Sequence, residues 1–491
     1  MEVLRFTLNG RAVEEAGISP TTTLLEYVRQ TGLTGTKEGC AEGDCGACTV
    51  VVLDPAAPGG AAWKAVNSCL VLLPSLQGRQ VYTVEGLQRN GALHPVQQVM
   101  VDELGSQCGY CTPGYVMSLF EACYRDDVSA NPAEGEGWKL NDQLCGNLCR
   151  CTGYRPIRDA ARAIAGLRPD DGFSALLREP SQPSTALSYQ AQGQYFHQPD
   201  RFETLWDLVE AHPDHRFVCG ATDLGLDVTK RYTRFPCLVS VEALPGLNRF
   251  EATDTGWFIG ATVRLSDLER HAVDEIPVLA RMLRYFASRQ IKNRASVGGN
   301  LCNASPIGDL APVFLALGAT AVFRSREGER RVSMDDFFLA YRKIALEPGE
   351  ILAGVEVPRP GPTTRLAAYK VSKRRELDIS AVCAAFAVRV DDAGIVRQAR
   401  LAYGGMAATT CRATRTEQAL EGGAWTEDAI GNASEQLAID FTPLDDHRGS
   451  AWYRNTLARN LLLGFFHETA DEPVPRLRDF PSGTVLNKVI P

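Results

Sequence analysis

The sequence predicts a multidomain α+β protein in which two small metal-binding domains precede a larger α/β part. Three observations support this fold class. The chain has 491 residues, which is more than a single hydrophobic core accommodates. Eight of its fifteen cysteines form two sets of four within the first third of the chain. The sequence pattern around the first set is typical of strands, whereas from His94 onward it follows a helical period.

The first set of cysteines has the spacing of a plant-type ferredoxin. It reads C-x4-C-x2-C with a distant fourth cysteine, the pattern that holds a [2Fe-2S] cluster, and consists of Cys40, Cys45, Cys48 and Cys69. Nearby glycines such as Gly39 and Gly43 leave room for the inorganic sulfides and let backbone N–H groups point at the cluster. A structural zinc site is the alternative, but zinc sites usually use paired C-x2-C knuckles or histidines. None of the seven histidines lies between Cys40 and Cys69, so the pattern favours iron.

The elements around this set predict a β-grasp, ferredoxin-like domain over residues 1–88. Asn9-Gly10 is typical of the tight turn of a β-hairpin. Residues 22–30 are apolar at helical spacing and end before Gly32, which predicts a helix. Residues 48–53 are rich in β-branched side chains and predict a strand.

The second set of cysteines falls in a helical region. Pro95, Pro113 and Arg155 are placed to begin three helices, so we expect an all-α helical-bundle [2Fe-2S] domain over residues 89–168. The set consists of Cys108, Cys111, Cys149 and Cys151. Helix starts favour thiolates because of the partial positive charge there. The Cys149-Arg150-Cys151 pair suits a diiron cluster better than a zinc knuckle. Cys145 also stands at ligand spacing from Cys149, and spacing alone does not choose between these two residues.

Residues 169–190 are rich in proline, serine and glutamine, and they predict an interdomain linker. Beyond them, residues 217–225 form an apolar strand, a small-residue turn and a helix start, and residues 296–300 form a second small-residue turn. Both turns suit the binding of an anionic phosphate group. Two ordinary glycine turns would explain them as well, and neither contains G-x-G-x-x-G, so a Rossmann dinucleotide site is unsupported.

Composition excludes several classes of protein. A net charge of −8 argues against nucleic acid as a partner. The N-terminus lacks the basic and apolar pattern of a signal peptide, and the longest nearly apolar run, residues 310–323, is too short to span a bilayer. We therefore expect no membrane association and a cytoplasmic location, where cysteines are thiols or metal ligands. Five further cysteines are expected to be buried thiols: Cys219, Cys237, Cys302, Cys383 and Cys411.

Seven stretches, in the same order along nearly the whole chain, resemble the small subunit of bacterial xanthine dehydrogenases, in the molybdenum hydroxylase family. They are residues 38–50, 107–114, 149–157, 295–300, 304–310, 403–407 and 448–454. The resemblance implies that Cys149 and Cys151 are cluster ligands and that Cys145 is spare. It also implies a vanillyl-alcohol-oxidase-like α/β FAD domain over residues 191–365, with a C-terminal α+β subdomain over residues 366–491.

The resemblance further implies the residues that bind FAD. Thr222 would lie close to the isoalloxazine ring, and Phe286 and Leu352 would pack near the ring system. The full set is Phe217, Val218, Cys219, Gly220, Ala221, Thr222, Asp223, Leu224, Phe286, Ser296, Val297, Gly298, Gly299, Asn300, Asp309, Leu352 and Lys370.

An electron relay is the function that the resemblance implies. A molybdenum cofactor on a large molybdopterin-binding partner subunit oxidises a purine, and electrons pass through the helical-domain cluster and the ferredoxin-like cluster to FAD, which reduces NAD⁺. A heterotetramer of two small and two large subunits is expected, and no side chain of this chain needs to act as a general acid or base. Residues 370–378 resemble a charged loop that governs access of the electron acceptor. Leu377 and Asn303 differ from eukaryotic relatives, which leaves the choice between NAD⁺ and oxygen open.

Other functions also fit the sequence. A self-sufficient iron–sulfur flavoprotein could take electrons from NADH to a soluble acceptor, and a zinc-bearing assembly subunit would need no flavin. Within the family, the partner subunit could instead oxidise an aldehyde or an N-heterocycle.

Overall fold

The computed structural model describes residues 2–129, 137–179 and 185–470. They form a β-grasp unit, a helical unit, an α/β unit with two main sheets and a C-terminal α+β unit, which confirms the predicted fold class. Within these ranges, no helix combines the length and the apolar character that crossing a bilayer requires.

The first unit is a five-stranded sheet that packs on one helix. Asn9 (φ 52°) and Gly10 (φ 77°) form the predicted hairpin turn, and Thr23 and Glu26 form a capping box that begins the helix. The elements are β1 (Leu4–Leu8), β2 (Arg11–Glu15), α1 (Leu24–Gln30), β3 (Thr49–Asp54), β4 (Ala62–Asn67) and β5 (Gln80–Tyr82). The strand order is β2-β1-β5-β3-β4.

The second unit is helical. Its elements are α2 (Pro95–Asp102), α3 (Thr112–Tyr124), α4 (Trp138–Cys145), α5 (Arg155–Ile164) and α6 (Gly172–Leu177). Proline stands in the first turn of α2, α3 and α5, as the sequence predicts. Helix α4 is not predicted, because two of its three buried residues, Asp142 and Gln143, are polar and hide the apolar period.

The linker predicted over residues 169–190 is wrong in part. Helix α6 lies within it and buries Phe173 against Tyr82 and Phe120, with ring centroids 5.1 and 5.0 Å away. One aromatic side chain in a cluster of rings supplies the packing that the average composition of the segment conceals. Residues 187–190 belong to the next unit, and residues 180–184 lie outside the described residues.

The third unit contains two main sheets. The first consists of β6 (Leu187–Ala191), β7 (Gln194–Gln198), β8 (Arg216–Val218) and β9 (Cys237–Ser240), in the order β6-β7-β9-β8, with helices α7 (Phe202–Ala211) and α8 (Leu224–Arg231). The second sheet follows after residue 249. Its elements are β10 (Phe250–Ala252), β11 (Gly256–Gly260), α9 (Leu265–Glu275), α10 (Pro277–Arg284), α11 (Arg289–Lys292), α12 (Val297–Cys302), α13 (Leu310–Ala316), β12 (Thr320–Arg324), β13 (Glu329–Ser333), β14 (Phe338–Ala340), β15 (Lys343–Ile344) and β16 (Ile351–Pro358). Strands β14 and β15 pair separately, and the others have the order β10-β11-β16-β12-β13.

The C-terminal unit is a four-stranded antiparallel sheet with helices. Its core contains the rings of Phe386, Tyr403 and Phe465. The elements are β17 (Thr364–Val371), β18 (Val382–Val390), β19 (Val396–Gly404), β20 (Cys411–Arg412), α14 (Thr414–Leu420), α15 (Glu427–Ser434), α16 (Leu437–Asp440) and α17 (Ala451–Thr469). Residues 471–491 of the predicted C-terminal subdomain lie outside the described residues.

A buried network of ion pairs joins the helical unit to the α/β unit. Asp142 of α4 accepts hydrogen bonds from Arg289 (2.5 Å) and Lys292 (2.6 Å) of α11. Both cations also pair with Glu269 of α9, at 2.9 and 2.8 Å, and all four side chains are at most 6% exposed. Burial opposes ionisation, but Arg289 and then Lys292 lower the pKa of Asp142 to about 2. The network therefore contains two cations matched by two carboxylates.

We expect Asp142→Asn to destabilise the protein by about 3–5 kcal/mol, because it leaves two buried cations facing one carboxylate. The measurement is the midpoint of thermal unfolding. Glu356→Gln is the matched control, since Glu356 pairs with Arg331 at the surface, where the side chains are 40% and 53% exposed. Equal shifts for the two variants would contradict a special role of the buried network.

Candidate functional site

The first cysteine set forms two sulfur pairs. Cys40 and Cys45 exchange hydrogen bonds, since the backbone N–H of each donates to the Sγ of the other at 3.3 Å. The Sγ atoms of Cys48 and Cys69 lie 3.4 Å apart. The two pairs are near enough that the charge of Cys40 acts on both Cys48 and Cys69, although weakly. Two thiolate pairs are the donor set that the two irons of a [2Fe-2S] cluster require.

Local hydrogen bonds prepare these thiols for ionisation. The thiol of Cys45, against the opposing effect of burial, lowers the pKa of Cys40 to about 5, and the backbone N–H of Glu42 acts in the same direction. The Cys69 thiol likewise lowers the pKa of Cys48. In each pair, the neighbouring thiol thus favours ionisation of one cysteine, and the thiolate is the form that binds metal.

The second cysteine set is also arranged in two pairs. The Sγ atoms of Cys108 and Cys151 lie 3.2 Å apart, and Cys149 is near enough to Cys111 to raise its pKa, in addition to the larger effect of burial. Although burial opposes it, hydrogen bonding to Thr152 lowers the pKa of Cys149 to about 7. Cys108 and Cys151 are exposed, in contrast to the buried Cys48 and Cys69 of the first set.

The thiol of Cys145 makes its contacts away from the cysteines of the second set. It is the last residue of α4, and its Sγ donates to the carbonyl oxygen of Asp142 at 3.2 Å and lies 3.9 Å from that of Ala287. Burial raises its pKa. The structure thus groups Cys149 with Cys111, and this arrangement supports the prediction that Cys149 rather than Cys145 is a ligand.

The two cysteine sets are held together by direct backbone contacts. The N–H of Leu148 donates to the carbonyl oxygen of Cys45 at 2.9 Å. Gly114, at the start of α3, approaches Gly46 so closely that a Cβ at Gly114 would lie 2.2 Å from the Gly46 oxygen. Glycine is required at this contact, and it brings the second set directly beside the loop of the first.

Helix α8 of the α/β unit lies on the first cysteine loop. Thr229 Oγ1 donates to the carbonyl oxygen of Ala41 at 2.7 Å. Leu226 packs against Cys48, Cys69 and Leu70. The loop that precedes α8 contains the residues predicted to lie near the flavin, so the first cysteine set stands between the second set and this loop.

The predicted FAD residues of the two small-residue turns come together. Residues 217–224 run from β8 into α8, and residues 296–300 include the N-cap Ser296 and the first four residues of α12. A Cβ at Gly299 of the second turn would lie 3.9 Å from the carbonyl oxygen of Cys219 in the first. The N–H of Gly298 donates to Ala261 at 2.7 Å, and a Cβ at Gly298 would lie 2.8 Å from the Ala261 side chain. The second turn is therefore the start of a short helix rather than a free loop.

Three other predicted FAD residues form one cluster. Lys370 donates to Asp309 at 2.6 Å, and its Nζ lies 5.9 Å from the ring centroid of Phe286. Asp309 precedes α13 but does not cap it with its side chain, which instead accepts hydrogen bonds from Lys370 and, at 2.5 Å, Ser380. Leu352 lies in the buried core against which Phe286 packs.

The residues present fit a dinucleotide. Gly299 is exposed at the second turn, and the Asn300 Oδ1 is buried with no hydrogen-bond partner among the described residues. An open glycine beside an unsatisfied acceptor provides backbone access and one polar group for a ligand. The unsatisfied Oδ1 of Asn300 is evidence for a ligand that the sequence alone does not provide.

The charged loop at residues 370–378 approaches the first cysteine loop. Burial and the charges of Cys40 and Glu42 raise the pKa of Asp44, whereas Arg374 lowers it. The Arg374 N–H donates to Asp378 at 2.9 Å, and Leu377 has a φ of 56°. Of the five cysteines expected to be buried thiols, Cys237 and Cys383 are buried, Cys219 and Cys411 are half-buried, and Cys302, on α12 rather than on a strand, is exposed.

Family models match the chain in four successive segments. They are a 2Fe-2S iron-sulfur cluster binding domain at residues 6–73, a [2Fe-2S] binding domain at 83–162, the FAD binding domain in molybdopterin dehydrogenase at 188–360, and the CO dehydrogenase flavoprotein C-terminal domain at 367–469. The chain therefore contains two [2Fe-2S] domains and an FAD-binding domain.

Curated relatives include the xanthine dehydrogenase of Emericella nidulans, 33% identical over 99% of this chain and 40% of the relative. The xanthine dehydrogenase/oxidase of Rattus norvegicus is 34% identical over 94% of this chain and 39% of the relative. The chain thus spans about two fifths of the length of these relatives.

Solved structures also resemble part of the chain. A chain of carbon monoxide dehydrogenase from Hydrogenophaga pseudoflava has a TM-score of 0.52 at 25% identity, covering 55% of this chain and 94% of that chain. A chain of quinoline 2-oxidoreductase from Pseudomonas putida 86 has a TM-score of 0.51 at 25% identity, with the same coverage.

We expect Cys149→Ser to lose the reduced-state EPR signal of the second cluster and about half of the bound iron, because it removes one of four thiolates. Cys145→Ser is the matched control and should keep both. The measurement is iron content together with an EPR spectrum of the dithionite-reduced protein. The reverse pattern would show that Cys145 is the ligand.

We expect Gly299→Val to lose most bound flavin while keeping full iron content. A Cβ at Gly299 meets only the Ser296 Oγ at 3.0 Å and the Cys219 oxygen at 3.9 Å, so the fold accommodates it while the side chain fills the open turn. Flavin absorbance per iron is the measurement. Gly431→Ala, on α15 with open space around its Cβ position, is the control. Undiminished flavin in Gly299→Val would place the dinucleotide elsewhere.

Proposed function

The chain belongs to the molybdenum hydroxylase family, and from this membership we propose that it is the electron-transfer subunit of a xanthine dehydrogenase. In this role it carries electrons from a molybdenum centre on a large partner subunit to NAD⁺ during oxidation of hypoxanthine and xanthine. Sequence identity of 33–34% to xanthine dehydrogenases over nearly all of the chain supports this substrate class. The proposed assembly contains two small and two large subunits.

The observation that carries the proposal is the unbroken order of contacts between the candidate redox sites. Leu148 connects the second cysteine set to Cys45 of the first set, and Thr229 connects the first set to the helix that follows the flavin loop. When bound, the clusters would carry single electrons, and the flavin would combine two of them with a proton to supply the hydride that NAD⁺ accepts. These contacts support the proposed order, from the second cysteine set through the first to the flavin.

The residues of the chain hold the groups and control their access to water. Leu25, Leu70, Leu226 and Ile291 enclose the sulfurs of Cys48 and Cys69. The second set is open, and three large apolar side chains next to its cysteines are exposed: Tyr110 (48%), Leu148 (41%) and Tyr154 (40%). Exposed apolar groups beside exposed ligands are typical of a surface that another protein covers. We therefore place the partner subunit at this end.

A second candidate is supported by the solved structures. The likeness to chains of carbon monoxide dehydrogenase and quinoline 2-oxidoreductase favours the same electron-transfer role beside a partner that oxidises another substrate. The residues described above determine the route of electrons and not the chemistry of the partner. Activity of the assembled complex decides between the two candidates.

We expect the complex with the large subunit to oxidise xanthine with NAD⁺, and each subunit alone to be inactive. Within the complex, Cys149→Ser should lower xanthine:NAD⁺ activity at least a hundredfold but retain most NADH-dependent reduction of an artificial dye, because the flavin end does not need the second set. Both rates are followed by absorbance. Xanthine oxidation by this chain alone would contradict the proposal, and a complex active only on another heterocycle or on carbon monoxide would favour the second candidate.

A further inference from the structure

Two histidines and a cysteine meet in the α/β unit, away from both cysteine sets. They are His197 on β7, His212 directly after α7 and Cys237 on β9. One ligand atom of each lies within 4.8 Å of the ligand atoms of the other two. Ligand atoms bound to one tetrahedral zinc ion lie about 3.3–3.6 Å apart, so a small rotation of the side chains completes the geometry.

The fold explains why these three residues meet. Strands β7 and β9 are parallel neighbours in which Tyr195 pairs with Cys237, so Cys237 and His197 emerge on the same face of the sheet. Helix α7 covers this face, where Cys237 packs with Leu205 and Trp206. His212 ends the helix above the two strands. One side chain from each of three elements therefore converges on one location.

A buried atom without a partner points to a ligand at this location. His197 is 5% exposed, and its Nδ1 lies 3.1 Å from the Ser188 Oγ, which fixes the ring. Across the part of the chain that the structure describes, no group forms a hydrogen bond with its Nε2, which is buried. A buried nitrogen without a hydrogen-bond partner destabilises the fold unless a ligand satisfies it. A hydrogen bond from the second nitrogen to a hydroxyl is how ligating histidines are usually oriented.

The surroundings are suitable for a cation bound by nitrogen and sulfur. The rings of His197 and His212 lie with their centroids 5.2 Å apart, and the Tyr195 ring flanks both, at 5.8 and 4.8 Å. The carboxylate of Asp214 is near enough to act electrostatically on Cys237. Cys237 is fully buried, whereas His212 is half-buried, so one side of the cluster is open to a fourth ligand from solvent.

We propose that His197, His212 and Cys237 bind a zinc ion that fastens the end of α7 to strands β7 and β9. Two imidazole nitrogens, one thiolate and an exchangeable fourth ligand form a donor set that Zn²⁺ accepts. The site is independent of the iron–sulfur clusters and the flavin, because none of its residues belongs to their predicted ligands.

The test uses the full chain with both clusters and flavin in place, incubated with Zn²⁺ and then dialysed against a weak chelator. We expect one zinc per chain in addition to four irons, measured by mass spectrometry of the elements. Zinc-edge X-ray absorption should show one sulfur at about 2.3 Å and nitrogen or oxygen ligands at about 2.0 Å. The iron of the clusters does not contribute at this edge.

Two variants keep the proposal falsifiable. His212→Gln, at a half-buried position, and Cys237→Ser, which is nearly isosteric, should each lower zinc occupancy at least tenfold while iron and flavin contents stay unchanged. Cys411→Ser, at a half-buried cysteine of β20, is the matched control and should retain zinc. The assignment would be wrong if the unmodified protein retained no zinc or bound copper in its place. It would also be wrong if the zinc had four sulfur ligands, because zinc would then occupy the cluster cysteines.

Discussion

The structure depends on a four-residue helix, α11, whose side chains all connect to other units. Arg289 and Lys292 pair with Asp142 of the helical unit, and Gln290 donates to Asn147 at 2.9 Å and Ser118 at 3.0 Å. Ile291 packs against the sulfurs of the first cysteine set. Buried charges and amides destabilise a fold when they lack partners, so any shift between the units would leave several of them unsatisfied. This requirement, more than the apolar contact area, specifies how the units sit together.

The same requirement explains the close contacts of backbone between the cysteine sets. Asn147 donates to the Gly46 carbonyl at 3.1 Å and accepts from Gln290, so one amide links all three units. A Cβ at Gly46 would lie 2.2 Å from the carbonyl oxygen of Gly146, which leaves no room for a larger residue. Rates of electron transfer fall steeply with distance. The close contact between the two cysteine sets, which glycine permits and the polar network holds in place, is therefore functionally important. The residues that join the units are thus also the residues that hold the two cysteine sets close together.

Sequence patterns predict those elements whose structure depends on residues close together in the chain. The hairpin at Asn9-Gly10, the proline-led helices and the grouping of cysteines depend on short segments, and the structure has these elements where the sequence places them. Helix α6 could not be predicted, because its stability comes from Phe173 packing on rings of its own unit and of the β-grasp unit. Nor could the cluster of His197, His212 and Cys237, since the pairing of two strands and the end of a helix bring these residues together. The ion pairs of α11 are beyond prediction for the same reason.

The two cysteine sets differ in burial, and this difference indicates which set an external electron donor approaches. Cys108 and Cys151 are exposed beside apolar side chains, whereas Cys48 and Cys69 are 2% and 1% exposed and enclosed by residues of two units. The sulfurs of Cys48 and Cys69 are closed to an electron donor on another molecule, whereas Cys108 and Cys151 are open to one. A connected path of backbone contacts leads from there through Leu148 and Cys45 to the first set, and then through α8 to the open turn at Gly299. Both ends of this path are accessible, and the sulfurs of Cys48 and Cys69 between them are closed to solvent. An electron conduit between two separate reactions requires accessible ends of this kind.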